Sequence, residues 1–156
     1  RLAIEVEAAA LAAARITPGR LTPIKRALRS IETVLATGGG AVNEDFAFHR
    51  AIAQASGNTR IAELLELLGH HIIPRQSVRM SLVTPATAQR LYLTRIQEEH
   101  GRIFQAICDG DAAEARKAMR AHLTRSLSRY RRLAEHQSRT IGSAQPRTRQ
   151  AAQGRT

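Results

Sequence analysis

Apolar side chains recur along this chain at steps of three and four residues, the period of a helix with one buried face, and no stretch alternates with period two as a strand would. Leu2, Val6, Ala9, Ala10 and Ala13 trace the first such face before Thr17-Pro18-Gly19 interrupts it. Leu21, Ile24, Leu28, Ile31 and Leu35 then form the seam of a second helix. Pro18 or Pro23, each behind a Thr in or near a capping position, can open that helix, and the triple glycine Gly38-Gly39-Gly40 closes it. Asn43 is expected to cap a third helix reaching about Ala55. Ser56-Gly57-Asn58 reads as stop, left-handed turn and new cap, followed by the fourth face of Ile61, Leu64, Leu65, Leu68 and Ile72.

Pro74 should kink or end the fourth helix, with Val78 and Leu82 in register for its resumption, and Thr84-Pro85 marks a connection. Leu91, Ile96, Ile103, Phe104 and Ile107 define a fifth helix ended by Asp109-Gly110. Asp111 followed by Glu114 reads as a capping box opening a sixth, with Ala115, Ala118, Met119, Leu123, Leu127 and Tyr130 on its apolar side. The pattern predicts an all-α antiparallel bundle of about six or seven helices.

Composition narrows this picture. The 156 residues suit one domain, and with 3% aromatics and no Trp its core must be aliphatic. Rows of stacked bases would find no aromatic platform here, and the cations of the folded part are scattered, so the net charge of +11 does not by itself make a nucleic-acid binder. The last acidic residue is Glu135, and Arg139, Arg147, Arg149 and Arg155 follow among polar and small residues. We therefore expect a folded domain over residues 1–135 and a basic, disordered tail over 136–156. No apolar run is long enough to span a membrane and no signal pattern opens the chain, so the expected setting is cytoplasmic, with no membrane partner. A single cysteine, Cys108, excludes an internal disulfide.

The residues that could carry chemistry are few. Asp45 and His49, four apart on the third helix, share one face at a separation that lets two groups grip one ion. His100 falls one turn from Ile96 and Ile103, and His122 one turn from Ala118 and Ser126, so both point inward. A metal ion held between facing helices would satisfy such imidazoles together. The same pattern also fits hydrogen-bonded core histidines and an Asp serving the helix dipole, and spacing alone leaves both readings open. His70, His71 and His136 are given no role.

The ordered set Asp45-Phe46-Ala47-Phe48-His49, Ala55-Ser56-Gly57-Asn58, Glu99-His100 with Ile103 and Ala106-Ile107, Gly110-Asp111, Ala115, Met119 and His122-Leu123 resembles the C-terminal effector-binding (FCD) domain of FadR-type regulators in the GntR superfamily. Arg1-Leu2-Ala3-Ile4-Glu5 with Ala12-Ala13 looks like that domain's first helix, and the likeness covers about residues 1–135. In the metal-binding branch of that family the matching positions are ligands, which implies Asp45, His49, His100 and His122 here. The resemblance also implies a bacterial transcription regulator that dimerises through this domain. In it an N-terminal winged helix-turn-helix, which this chain does not include, would read operator DNA.

The function this implies is ligand sensing rather than catalysis. A small organic acid, a hydroxy or sugar acid, would place its carboxylate on a divalent ion, zinc first, with nickel, manganese and iron also suited to such donors. Arg1, Arg79 and Arg75, in that order, are the arginines expected to take the acid's other end. The alternative is a metal-dependent hydrolase, which needs a general base beside the ion. Glu99 is the nearby candidate, but it neighbours His100 in sequence and so points to a different face.

Overall fold

The computed structural model describes residues 1–39, 41–72 and 86–143. Six helices follow one another: α1 (Leu2–Ala14), α2 (Pro18–Ala36), α3 (Val42–Ala55), α4 (Thr59–Ile72), α5 (Ala86–Cys108) and α6 (Ala112–Ser143), and no strand occurs among the described residues. The all-α bundle expected from the apolar period is the observed architecture. Backbone contacts divide the chain into two compact units, 1–125 and 126–156, and the description of packing below belongs to the first.

Local chemistry explains most boundaries. Thr17 caps α2 through Oγ1, which accepts from the Arg20 amide at 3.4 Å, and Pro18 occupies the first helical position where no amide is needed. Pro23 lies within the helix and does not open it. After α3, Gly57 takes a left-handed turn at φ +69°, and Asn58 Oδ1 accepts from the amides of Arg60 and Ile61 to start α4. Two expectations about caps are corrected. Ala41, whose carbonyl accepts from the Asp45 amide, precedes α3, so Asn43 sits inside the first turn and caps nothing. Asp111 Oδ1 accepts from the Glu114 amide at 2.9 Å, but the Glu114 carboxylate goes to Lys117, so only half of the capping box forms.

The core is aliphatic. Ile24, Leu28 and Ile31 of α2 meet Phe48 and Ile52 of α3, Ile103 and Ile107 of α5, and Met119 of α6. Small side chains at Ala9, Ala12 and Ala13 bring α1 in close. α3 packs against α1, α2 and α4, and α5 against α1 and α2, which makes α3 the central element. Arg15 closes one end by donating from Nη1 to the Ser56 carbonyl at 2.7 Å, joining α1 to the α3–α4 turn. At Gly69 any Cβ would collide with the Phe46 ring, so α4 approaches α3 there only because that residue has no side chain.

Four leucines depart from the expected apolar stripes, Leu2 at the start of α1 among them. Leu91 is exposed because, five residues before Ile96, it lies about 140° around the helix from it. Leu64 is exposed while its neighbour Leu65 is buried, and Leu67 is exposed as well. Leu127 is half exposed and lies beyond Leu123, the last buried residue described on α6. That helix runs to Ser143. Pro74, Val78 and Leu82, the arginines at 75 and 79, and residues 144–156 fall outside the described residues, as do the side chains of His70, His71 and His136. Among the described residues no helix is long and apolar enough to cross a membrane.

Candidate metal centre

Four side chains from three helices converge. Asp45 and His49 project from α3, His100 from α5 and His122 from α6, and one ligand atom from each lies within 4.8 Å of the other three. An ion about 2.1 Å from each donor would hold opposite donors about 4.2 Å apart, so the cluster is within a small contraction of coordination distance. The imidazoles pack ring against ring, with centroids 4.7 Å apart for His100 and His122, 5.2 Å for His49 and His122, and 5.6 Å for His49 and His100. All three are buried, whereas the Asp45 side chain keeps 30% of its exposure and gives the cluster its opening.

Phe48 explains part of this placement. Its ring, fully buried in the core, lies 4.8 Å from His100 and 5.7 Å from His49, so the aliphatic core forms one wall of the polar cluster. The i, i+4 spacing puts Asp45 and His49 on one side of α3, and α5 and α6 complete the ring from the facing side.

Behind each imidazole stands an acceptor. Glu5 Oε2 of α1 lies 2.5 Å from His49 Nδ1, Glu99 Oε2 of α5 lies 2.9 Å from His122 Nδ1, and Gln97 Oε1 lies 3.5 Å from His100 Nδ1. Both carboxylates are buried, and each has its own arginine: Arg1 on Glu5, and Arg125, whose Nε donates at 2.8 Å to Glu99. On the inner side, Nε2 of His49 and Nε2 of His100 are buried with no hydrogen-bond partner among the described residues, and Asp45 Oδ1 faces His100 Nε2 at 3.2 Å. Orphaned ring nitrogens in a buried site are costly unless something meets them. A divalent cation fits this donor set of three imidazoles and one carboxylate.

The electrostatics agree. Burial alone would raise the Glu5 carboxyl, but the charge and hydrogen bond of His49, with Arg1 behind, pull it down to about 2. Burial would likewise raise Asp45, and the hydrogen-bonding contact with His100, with the positive charge that the surrounding imidazoles carry when protonated, holds it well below the ordinary carboxylate range. Burial pushes His122 down to about 4 against the hydrogen bond of Glu99, so its ring is a neutral donor at physiological pH.

The structure thus brings together Asp45, His49, His100 and His122. Arg1 forks onto Glu5 through Nε and Nη2, and Arg75 and Arg79 lie outside the described residues. Glu99 does point to another face than His100, as its place in sequence implies, but that face carries His122 and Arg125. Its carboxylate is engaged at both oxygens, which removes the general base a hydrolase would need. Helical spacing does not single out Glu5 or Gln97 as partners of these rings. Their signal was faint: one acid a turn before Ala9 on the inward side of an alanine-rich helix, and an amide three residues before a buried His.

The chain resembles known regulatory proteins. The family model of the FCD domain matches residues 1–125. The chain is 36% identical over 126 residues to the HTH-type transcriptional regulator LutR of Bacillus subtilis (strain 168), covering 80% of this chain and 56% of that protein. It is also 36% identical over 144 residues to a proposed regulatory protein of the L-lactate dehydrogenase operon in Escherichia coli (strain K12), covering 89% of this chain and 52% of that protein. A protein of the same description from Shigella flexneri matches equally. The chain spans about half the length of these curated relatives, which are regulators rather than enzymes.

Proposed function

Because the chain belongs to the FCD domain family of GntR-type regulators, a family of regulatory, ligand-sensing domains, we propose that it senses a small organic acid at a divalent metal ion held by Asp45, His49, His100 and His122. The observation that carries this reading is the convergence of Asp45, His49, His100 and His122 within 4.8 Å, with Nε2 of His49 and of His100 buried and without a hydrogen-bond partner among the described residues. Zinc is the first candidate, and nickel, manganese and iron suit the same donors. When bound, the ion supplies a positive centre with positions open to an anion.

The chain's own residues set what that centre attracts. Arg1 matches the charge of Glu5 and Arg125 that of Glu99, so a divalent ion with Asp45 alone keeps a net positive charge and favours one carboxylate. The partial exposure of Asp45 offers the acid its way in. Arg1, Arg75 and Arg79 are the proposed contacts for the acid's other end, and Arg1 would share its guanidinium between Glu5 and the acid. A hydroxy acid suits the site because its hydroxyl can join the carboxylate on the ion. L-Lactate, named in the description of one relative, is the first to try.

We further propose that the domain occupies residues 1–135, acts as a cytoplasmic homodimer, and governs operator DNA through a winged helix-turn-helix attached before Arg1. The exposed Leu64 and Leu67 of α4 supply apolar surface for the dimer. The test is elemental analysis of the purified protein together with thermal shift by L-lactate before and after chelation. One ion per chain and a lactate-dependent rise in Tm that chelation abolishes would support the reading. An equal rise in chelated protein would refute it.

A further inference from the structure

The contacts behind the three imidazoles determine which nitrogen of each ring carries its proton, and so which way the site's lone pairs point. An ionised carboxylate only accepts hydrogen bonds. Glu99, hydrogen-bonded at His122 Nδ1, therefore requires Nδ1–H there. Glu5 Oε2, 2.5 Å from His49 Nδ1 but off the line of an ideal N–H···O bond, is too close to that nitrogen for it to carry a lone pair. A neutral ring protonated at Nδ1 has a bare Nε2. The Gln97 amide reaches the same result by a longer route. Its Nε2 donates to the Leu28 carbonyl of α2 at 3.3 Å and approaches Glu32 at 3.4 Å, which fixes the amide so that Oε1, an acceptor, faces His100 Nδ1.

We propose that Glu5, Gln97 and Glu99 are positioning residues that hold His49, His100 and His122 in the Nδ1–H tautomer, so that three Nε2 lone pairs converge on one point beside the Asp45 carboxylate. This deepens the metal reading above and rests on it for its purpose, though the tautomers themselves follow from the contacts. One consequence is visible in the geometry: with Nε2 of His100 bare, it and Asp45 Oδ1 are two acceptors facing each other at 3.2 Å, an arrangement that repels unless a cation lies between them. A second consequence concerns the fold. The positioning groups come from α1 and α5, and the Gln97 amide is itself set by α2, so the ring directions register how α1, α2 and α5 pack.

Two measurements on the 156-residue chain test this. In the metal-free protein at mildly alkaline pH, long-range proton–nitrogen correlation of the histidine rings should show Nδ1 protonated and Nε2 bare for all three residues. An Nε2–H ring at His49, His100 or His122 would overturn the proposal. In competition with a chromophoric chelator for Zn²⁺, Glu5→Ala and Glu99→Ala should each weaken binding about 10- to 100-fold at unchanged one-to-one stoichiometry. Glu5→Gln and Glu99→Gln, which keep an acceptor for Nδ1–H, should recover part of that loss. Alanine variants that bind Zn²⁺ as tightly as the parent would overturn the positioning role. A parent chain that takes up no Zn²⁺ while its rings show Nδ1–H would instead sink the metal reading and leave the tautomer assignment standing.

Discussion

The seam of α2 and the imidazole cluster are equally buried, yet they are complete in different senses. Ile24, Leu28 and Ile31 need only apolar neighbours, and α3, α5 and α6 supply them. His49 and His100 lie against the same Phe48, and each of the three imidazoles has Nδ1 facing Glu5, Gln97 or Glu99. The inner nitrogens of His49 and His100 meet no partner among the described residues. Packing finishes the first region, whereas the second keeps donor atoms that packing does not meet, as the proposed ion site requires. A fold that relied on the cluster for its stability would not leave such groups unmet.

If this contrast holds, the two regions respond to different insults. The largest effect should come from the seam: Ile24→Ala, which empties a fully buried site, should cost about 2–5 kcal/mol in denaturant unfolding while leaving one-to-one Zn²⁺ uptake by the folded protein intact. Zn²⁺ loss from that variant would tie the regions together and break the contrast. Next comes removal of the ion. With Zn²⁺ a thousandfold above its Kd, chelation should cost about 4 kcal/mol, and His100→Ala or His122→Ala should abolish the Zn²⁺-dependent part of Tm.

A pH series sharpens the comparison further. In the unfolded chain His122 titrates near the ordinary histidine value of 6.5, and in the folded, metal-free chain it is held at about 4, chiefly by burial. Between those values the unfolded state binds a proton that the folded state does not. Stability of the metal-free protein is therefore full above about 6.5 and falls with pH by about 1.4 kcal/mol per unit, to a total on the order of 3 kcal/mol near pH 4. Glu5, lowered to about 2 by His49 and Arg1 against its burial, adds a loss in the same direction below the ordinary glutamate value of 4.5. Urea midpoints that do not move between pH 7 and pH 5 would contradict this, and Ile24→Ala should shift the whole curve without changing its slope. Smallest of all, His70→Ala and His136→Ala should leave Zn²⁺ affinity unchanged and alter stability by less than about 0.5 kcal/mol.

The contrast also explains what could be read before any coordinates. Helical period places Ile24, Ile103 and Met119 inside, and the same period turns His49, His100 and His122 toward them, because a face is a property of spacing alone. Asp45 follows from its four-residue step to His49. What spacing cannot supply is the angle at which two helices meet. Glu99 is judged by sequence only against His100 on its own helix, while its partners stand on α6. Glu5 looks like an ordinary acid in a first turn until α1 is laid beside α3. Asn43 is a good cap residue by type, yet the helix starts one residue ahead of it because the Ala41 carbonyl takes the first bond.

The central claim is that the cluster is unfinished without a cation. It is met most directly by titrating Zn²⁺ into the metal-free chain by calorimetry, beside His100→Ala and His70→Ala. The account predicts one ion per chain for the parent and for His70→Ala, and none for His100→Ala. A parent that takes up no ion, or a His100→Ala variant that binds as the parent does, would contradict it.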